Sequence, residues 1–191
     1  RDVVMTKLPA TDHNVVIGID KDADPLKPAV GQVGDVTVTT VQMANEVRVT
    51  FDAPIVNPVI ALTGYSANAP YTLRVTSTSN TGFTFRVENW DGSAASLSSS
   101  LKVNWLAVAE GTHLLADGRV VEAKFVTATN TPSTVTFDTA FTQVPVVLSS
   151  VMSGMGDEGV ASDVYNIGQG SMALRLKARD ADTNGVNAQT V

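Results

Sequence analysis

The sequence predicts an all-β protein of two tandem antiparallel β-sandwich units, about six strands each. Three observations predict it. β-Branched residues recur in strand-length runs, as in VTVTT, VRVTF, LRVTSTS and STVTF; such side chains pack well on a pleated surface and are stiff in a helix. No amphipathic helix of about 12 or more residues is discernible. Finally, the pattern of the first half restarts in the second, and a long-period repeat signals repeated structural units.

Taken in order, the chain opens with a leading segment, 1–30, in which 13–19 reads as a strand and 20–28 as a loop. This segment could complete a sandwich by supplying a strand. The start RDVVMTKLPA lacks the apolar core of a signal peptide and does not begin with Met; it reads as a trimmed chain or a piece of a longer protein. Strands follow at 33–40 and 46–51, the latter with Val47, Val49 and Phe51 inward. A turn at 52–58, bracketed by Pro54 and Pro58, leads to a short buried strand at 59–63. The strand at 71–77 ends in Ser-Asn-Thr-Gly, a hairpin signal, because Asn and Gly tolerate the φ values of tight turns.

The next stretch, FTFRVENWDGSAASLSSSLKVNWLAV at 83–108, contains both tryptophans of the chain. Phe83, Phe85 and Val87 share one side of its first strand, while Arg86, Glu88 and Trp90 share the other. Leu101, Val103 and Trp105 share one face of the return strand. Trp105 therefore reads as core, and Trp90 follows the parity of the charged face. Ala116-Asp117-Gly118-Arg119 is a further turn.

The repeat aligns 36–62 with 124–148 through a strand ending in Thr-Phe-Asp, a short loop, then Pro and an apolar run. It also aligns FTFRVENWD at 83–91 with MALRLKARD at 172–180, at a spacing of roughly 86 to 89 residues. Units at 31–112 and 113–191 follow. HNVVIGID at the start of the chain resembles NWLAVAEG from residue 104 onward, so the second unit is expected to lack or borrow its final strand. An uncovered edge would then be closed by a strand from elsewhere in the chain or from another chain.

Composition excludes several function classes. With 13 Lys and Arg against 19 Asp and Glu, the net charge is −6, which disfavours nucleic acid as a partner. Cysteine is absent, so neither disulfides nor thiolate chemistry arise. No run approaches the roughly 20 apolar residues that span a bilayer, and no membrane insertion is expected. His13 and His113 stand in no metal-ligand spacing, and no GxSxG or phosphate loop occurs. No enzyme is expected, and no catalytic residue is assigned.

The ordered combination VRVTFDAPIVNPVIAL, LRVTSTSNTGFTFRVENWD and SLKVNWLAV resembles the H-type lectin domain, the family of snail agglutinins and of the lectin part of discoidins. Its signature is a Phe and a Pro-bounded apolar strand, a Thr-Gly-Phe hairpin ending near Trp, and a final strand containing Trp. The resemblance covers about residues 36–108 and returns more weakly over about 120–180, where Thr-Gly-Phe is absent. It implies a six-stranded sandwich, trimers, and a site for N-acetylgalactosamine-like sugars near subunit boundaries. The family's sugar-contacting Trp-His falls on Trp90 and Asp91, so the Trp is kept and the His is not. The family's sugar-binding Arg falls near Pro70 or Tyr71, with Arg74 inside the following strand. Asp35 is the nearest candidate for its early-loop Asp.

The residues alone suit the same chemistry. A Trp ring covers the apolar face of a pyranose, and a carboxylate accepts hydroxyl hydrogen bonds. Trp90, Asp91, Arg86, Asp35 and Arg74 are accordingly the candidate carbohydrate-binding residues. Trp90 reads equally as packing under the 91–99 loop or at a subunit interface, where Trp is enriched. In the second unit the candidates are Arg175, Lys177, Arg179 and Asp180, a row able to grip an anionic sugar or simply a solvated face. DADTNG at 180–185 matches the first half of a calcium loop, with Asp180, Asp182 and Asn184 as candidate ligands; position twelve is Val191, which excludes an EF-hand. No cofactor is required, and Ca²⁺ is the one ion suggested. DKDADP at 20–25 alternates likewise. The resulting expectation is a non-catalytic, carbohydrate-binding module of a larger extracellular or cell-surface protein. Its partner would be a glycan or polysaccharide, and it would assemble as a homotrimer or edge to edge. The alternative is a structural or adhesin repeat that mediates protein assembly without binding sugar.

Overall fold

The computed structural model describes residues 29–65, 70–152, 159–178 and 189–191. The expected strand at 13–19, both acidic loops, Arg179, Asp180, Asp182 and Asn184 lie outside the described residues. Among the described residues the protein is all-β, with strands gathered into small antiparallel sheets and one short 3-10 turn at Gln42–Ala44.

The first half contains β1 (Gly31–Val38), β2 (Val47–Thr50), β3 (Pro58–Tyr65), β4 (Thr72–Ser79), β5 (Gly82–Glu88) and β6 (Leu101–Ala109). They form two three-stranded sheets, β1-β6-β3 and β2-β5-β4. The strands expected between 33 and 108 all form, with ends shifted by a residue or two. The hairpin at Ser79–Gly82 joins β4 to β5 as its turn residues require.

The two sheets share one core. Val47, Val49, Val75, Phe83, Phe85 and Val87 come from one sheet, and Val38, Ile60, Leu101, Val103 and Ala107 from the other. Full burial of a side chain such as Phe85 contributes ~1.5–3 kcal/mol. Trp105 packs on this core as expected, its ring centroid 5.9 Å from Phe51 and 5.8 Å from Phe83. The ring lies over Gly34, where any Cβ would come within 2.5 Å of it.

The second half contains β7 (Gly111–Leu114), β8 (Val120–Ala123), β9 (Thr127–Ala128), β10 (Ser133–Thr136), β11 (Val160–Tyr165), β12 (Ser171–Ala178) and β13 (Gln189–Thr190). The order β10-β12-β11 repeats β2-β5-β4. Val164 faces Leu174 where Val75 faces Phe85, and Ala128, Val135, Val160, Leu174, Leu176 and Val191 form a second core. β7 pairs with β8 around the expected turn at 116–119, so the boundary expected between 112 and 113 falls inside β7.

One expected element differs. The apolar run at 144–148, which the repeat aligns with β3, forms no strand, and Val144, Val146 and Leu148 are 61%, 91% and 60% exposed. β3 is held along its whole length by β6, from Pro58 opposite Ala109 to Tyr65 opposite Lys102. β13 offers only a short ladder, pairing Gln189 with Ala128 and Thr190 with Thr127. Among the described residues no strand pairs with 144–148, so its backbone has no ladder there to join.

The halves meet along the edges of β3 and β4. Val75 N–H donates to Val151 O at 3.0 Å, within an isolated parallel bridge between Arg74 and Val151. Leu62 N–H donates to Ser150 Oγ at 2.8 Å, and Ile60 N–H to Met152 Sδ at 3.4 Å. Three backbone donors on the β3 and β4 edges, those of Ile60, Leu62 and Val75, are thereby satisfied within the chain.

Candidate functional site

Trp90 stands just past the end of β5, in a turn closed by Asn89 N–H donating to Ser93 O at 2.8 Å. Asp91 shapes that turn: its Oδ1 accepts from Ser93 N–H at 2.9 Å and from Ser93 Oγ at 2.5 Å. Such Asx turns are a common local use of Asp.

Trp90 is partly buried and faces the second half. It lines a crevice of about 310 Å³ together with Tyr71, Thr72, Ser150, Val160 and Ser162. Gly159 N–H donates to Trp90 O at 3.2 Å. A Cβ at 159 would lie 2.4 Å from Asn89 O and 2.7 Å from Trp90 Cα, so only glycine permits this approach. Burial pushes the Tyr71 phenol above its ordinary range. The buried Oγ1 of Thr72, in a residue 6% exposed, has no hydrogen-bond partner among the described residues.

Arg74 and Glu88 occupy the outer face of β4 and β5, yet both are buried. Arg74 Nε donates to Glu88 Oε2 at 2.9 Å, with side chains 2% and 7% exposed. Glu88 was expected on the charged face of its strand, and it is buried there with Arg74, which stands at the seam where the backbone of β4 meets Val151. Arg74 also stands directly opposite Arg86. Like charges in that position repel, but each is drawn to a carboxylate, Arg74 to Glu88 and Arg86 to Glu46 at 3.5 Å. Arg86 and Glu46 are both well exposed, where such a pair contributes little.

Asp35 lies on the other sheet, on the outer face of β1, 3.4 Å from Lys102 Nζ. The five first-unit candidates therefore fall into separate places. Arg74 sits beneath the seam, Trp90 lies beside it, Asp91 is in its own turn, and Arg86 and Asp35 are on two different outer faces.

In the second half Arg175 and Lys177 do converge, on Asp163. Arg175 Nε and Lys177 Nζ reach Asp163 Oδ2 at 2.8 and 2.9 Å, and the Arg175 guanidinium lies 5.2 Å from the Tyr165 ring centre. Hydrogen bonds from Lys177 and then Arg175 hold the Asp163 carboxyl below its usual range, against a smaller opposing effect of desolvation. Asp163 was not singled out from the sequence; its signal was an acidic residue at the strand position that pairs with Arg175. His113 Nε2 lies 2.7 Å from Ala109 O. Among the described residues, no group of three His, Cys, Asp or Glu side chains could hold a metal ion, and no helix is long and apolar enough to cross a membrane.

No family model, curated protein or solved structure matches this chain.

Proposed function

We propose that this chain is a non-catalytic structural repeat module of an extracellular or surface protein. Its two six-stranded β-sandwich units are joined through their strand edges, and it serves an adhesin-type role in assembly. The observation that carries this reading is the bond from Val75 N–H to Val151 O, which consumes a β4 edge that would otherwise template association with other chains. Trp90 serves the same seam as a packing residue. The test is sedimentation of the full chain across dilution, with wild type and Val151→Asp. Opening the seam is expected to expose the β4 edge and produce self-association; a variant that stays monomeric and folded removes the edge-joining role.

A second reading keeps the glycan, and the crevice favours it: Trp90, Tyr71 and Thr72 line it together, and Thr72 Oγ1 has no hydrogen-bond partner among the described residues. An H-type-lectin-like unit would bind a neutral sugar at this place and form trimers. Glycan-array binding by wild type that survives both Trp90→Ala and Thr72→Val would remove this site. A Ca²⁺ ion at Asp180, Asp182 and Asn184 belongs to the same reading. Its check is calorimetric titration of the chain with Ca²⁺, with Asp182→Asn as the control.

A further inference from the structure

The seam between the halves has two sides, and the repeat sets each of them a second time at an outer edge of the chain. On the first-half side, Val75 stands opposite Phe85, and its N–H points away from β5 to Val151 O at 3.0 Å. Val164 holds the same register against Leu174, so its N–H points away from β12. Among the described residues no backbone acceptor outside its own sheet is set against it. Asp163 and Lys177 stand beside Val164 where Arg74 and Glu88 stand beside Val75.

On the second-half side the seam presents Ser150, Val151 and Met152. Counted from the prolines that open the two apolar runs, Pro58 and Pro145, these correspond to Thr63, Gly64 and Tyr65. The parities agree. Val151 belongs to the second core, while Ser150 and Met152 reach outward to Leu62 and Ile60. Gly64 likewise faces inward, where a Cβ would meet the Tyr71 hydroxyl. Thr63 and Tyr65 are exposed, Tyr65 at 68%. The backbone is in phase as well. Ile60 and Leu62 turn their N–H groups away from β6, and Gly64, next in that alternation, turns its carbonyl the same way. Thr63 keeps a hydroxyl where Ser150 accepts from Leu62 N–H.

Building on the edge-joined reading of the two halves, we propose that the β11 edge docks the β3 edge of a second copy of this chain, repeating the seam between molecules. Val164 N–H donates to Gly64 O of the second copy, and Ser149 N–H to its Thr63 Oγ1. These bonds copy those of Val75 to Val151 and of Leu62 to Ser150. Each copy carries one edge of each kind, so the contact is head to tail and extends into a chain of molecules. The Asp163–Lys177 pair is then covered as Arg74–Glu88 is, and it enters burial already paired. The halves of one molecule are tethered and two copies are not, so the outer joint forms only at high concentration.

The experiment is sedimentation of the full chain over a rising concentration series, with amide exchange followed in parallel. Wild type is expected to be monomeric when dilute and to form chains when concentrated, and the Val164 amide to slow by roughly tenfold or more across that range. Val75, inside the molecule's own seam, is expected to be equally protected throughout. Val164→Pro removes the donor on the side away from β12, where an edge strand tolerates proline, and Tyr65→Asp spoils the opposite edge at an exposed position. Each variant alone is expected to stay monomeric, and an equimolar mixture to form dimers, since each supplies the edge that the other lacks. If Val164→Pro does not fold, Tyr65→Asp decides alone, and mixed into wild type it is expected to shorten the chains. A wild type that stays monomeric at the highest concentration overturns the proposal, as does association undiminished in folded Val164→Pro or in Tyr65→Asp. A Val164 amide already slow at dilution overturns it too, because that edge is then covered within the molecule. None of these outcomes touches the inner seam, which is read separately from Val75 and from Val151→Asp.

Discussion

Arg74 and Asp163 occupy the same position in the two halves, and their charges are opposite. Each sits one residue before the valine that faces the central core residue of the neighbouring strand, Val75 before Phe85 and Val164 before Leu174. Arg74 reaches Glu88, and Asp163 reaches Lys177, the residue that the repeat aligns with Glu88. The diagonal ion pair is kept with its signs interchanged. In the first half it is buried under the seam, and in the second it is open to solvent.

That difference in burial predicts a difference in cost. Glu88→Ala removes the carboxylate that meets the buried Arg74 guanidinium, and is expected to destabilise the chain by about 3–5 kcal/mol. Replacing both, Arg74→Met with Glu88→Leu, is expected to fall within about 1 kcal/mol of wild type, since a buried pair seldom outperforms an apolar one. Urea unfolding followed by tryptophan fluorescence checks both; a mild Glu88→Ala would contradict the burial.

The second-half pair predicts a pH dependence. The Asp163 carboxyl is held below its ordinary value by Lys177 and Arg175, so its folded-state pKa lies under its unfolded one. Its contribution is present above the unfolded value and is lost as pH falls through the folded one. A carboxyl NMR titration is expected to place Asp163 below the usual Asp range. Lys177→Met is expected to raise it, more than Arg175→Met does.

Ser150 is small and polar, and its hydroxyl is the acceptor for Leu62 N–H. Ser150→Ala strips a partly buried amide of its partner, which costs about 1–3 kcal/mol. Amide exchange at Leu62 is expected to accelerate in this variant while that of Phe85 does not; equal protection at Leu62 would show that the seam does not rely on this bond.

Gly34→Ala drives a methyl into the Trp105 ring. The ring is held between Phe51 and Phe83 and has no room to retreat. A loss of about 1–3 kcal/mol is expected, read as a lowered thermal midpoint. An additional Trp105→Phe substitution is expected to recover part of it.

Much of this architecture was legible in the sequence because it depends on local alternation. Phe83, Phe85 and Val87 announced a buried face by their period of two, and Ser79–Gly82 announced its own hairpin. Trp105 could be assigned to the core from parity alone. Glu88 could not be read in the same way. Its parity placed it on the outer face of the sheet, which is correct, but exposure of that face depends on whether another part of the chain covers it. The second half, which meets β4 at Val151, lies far away in sequence.

The five residues expected to gather around a sugar show the same limit. Arg86, Glu88 and Trp90 share a strand parity, which neighbouring geometry enforces, whereas Asp35 shares only chemistry with them and lies on the other sheet. The run at 144–148 shows it again: it has the composition of β3 and, among the described residues, no neighbouring strand along its length. Alternation and turn chemistry, being short-range, determined the strands, the hairpins and the first core. Which outer face is covered, which edge is paired, and whether an apolar run becomes a strand were decided by the tertiary structure, because a β ladder and a buried charge each need a partner from elsewhere in the chain.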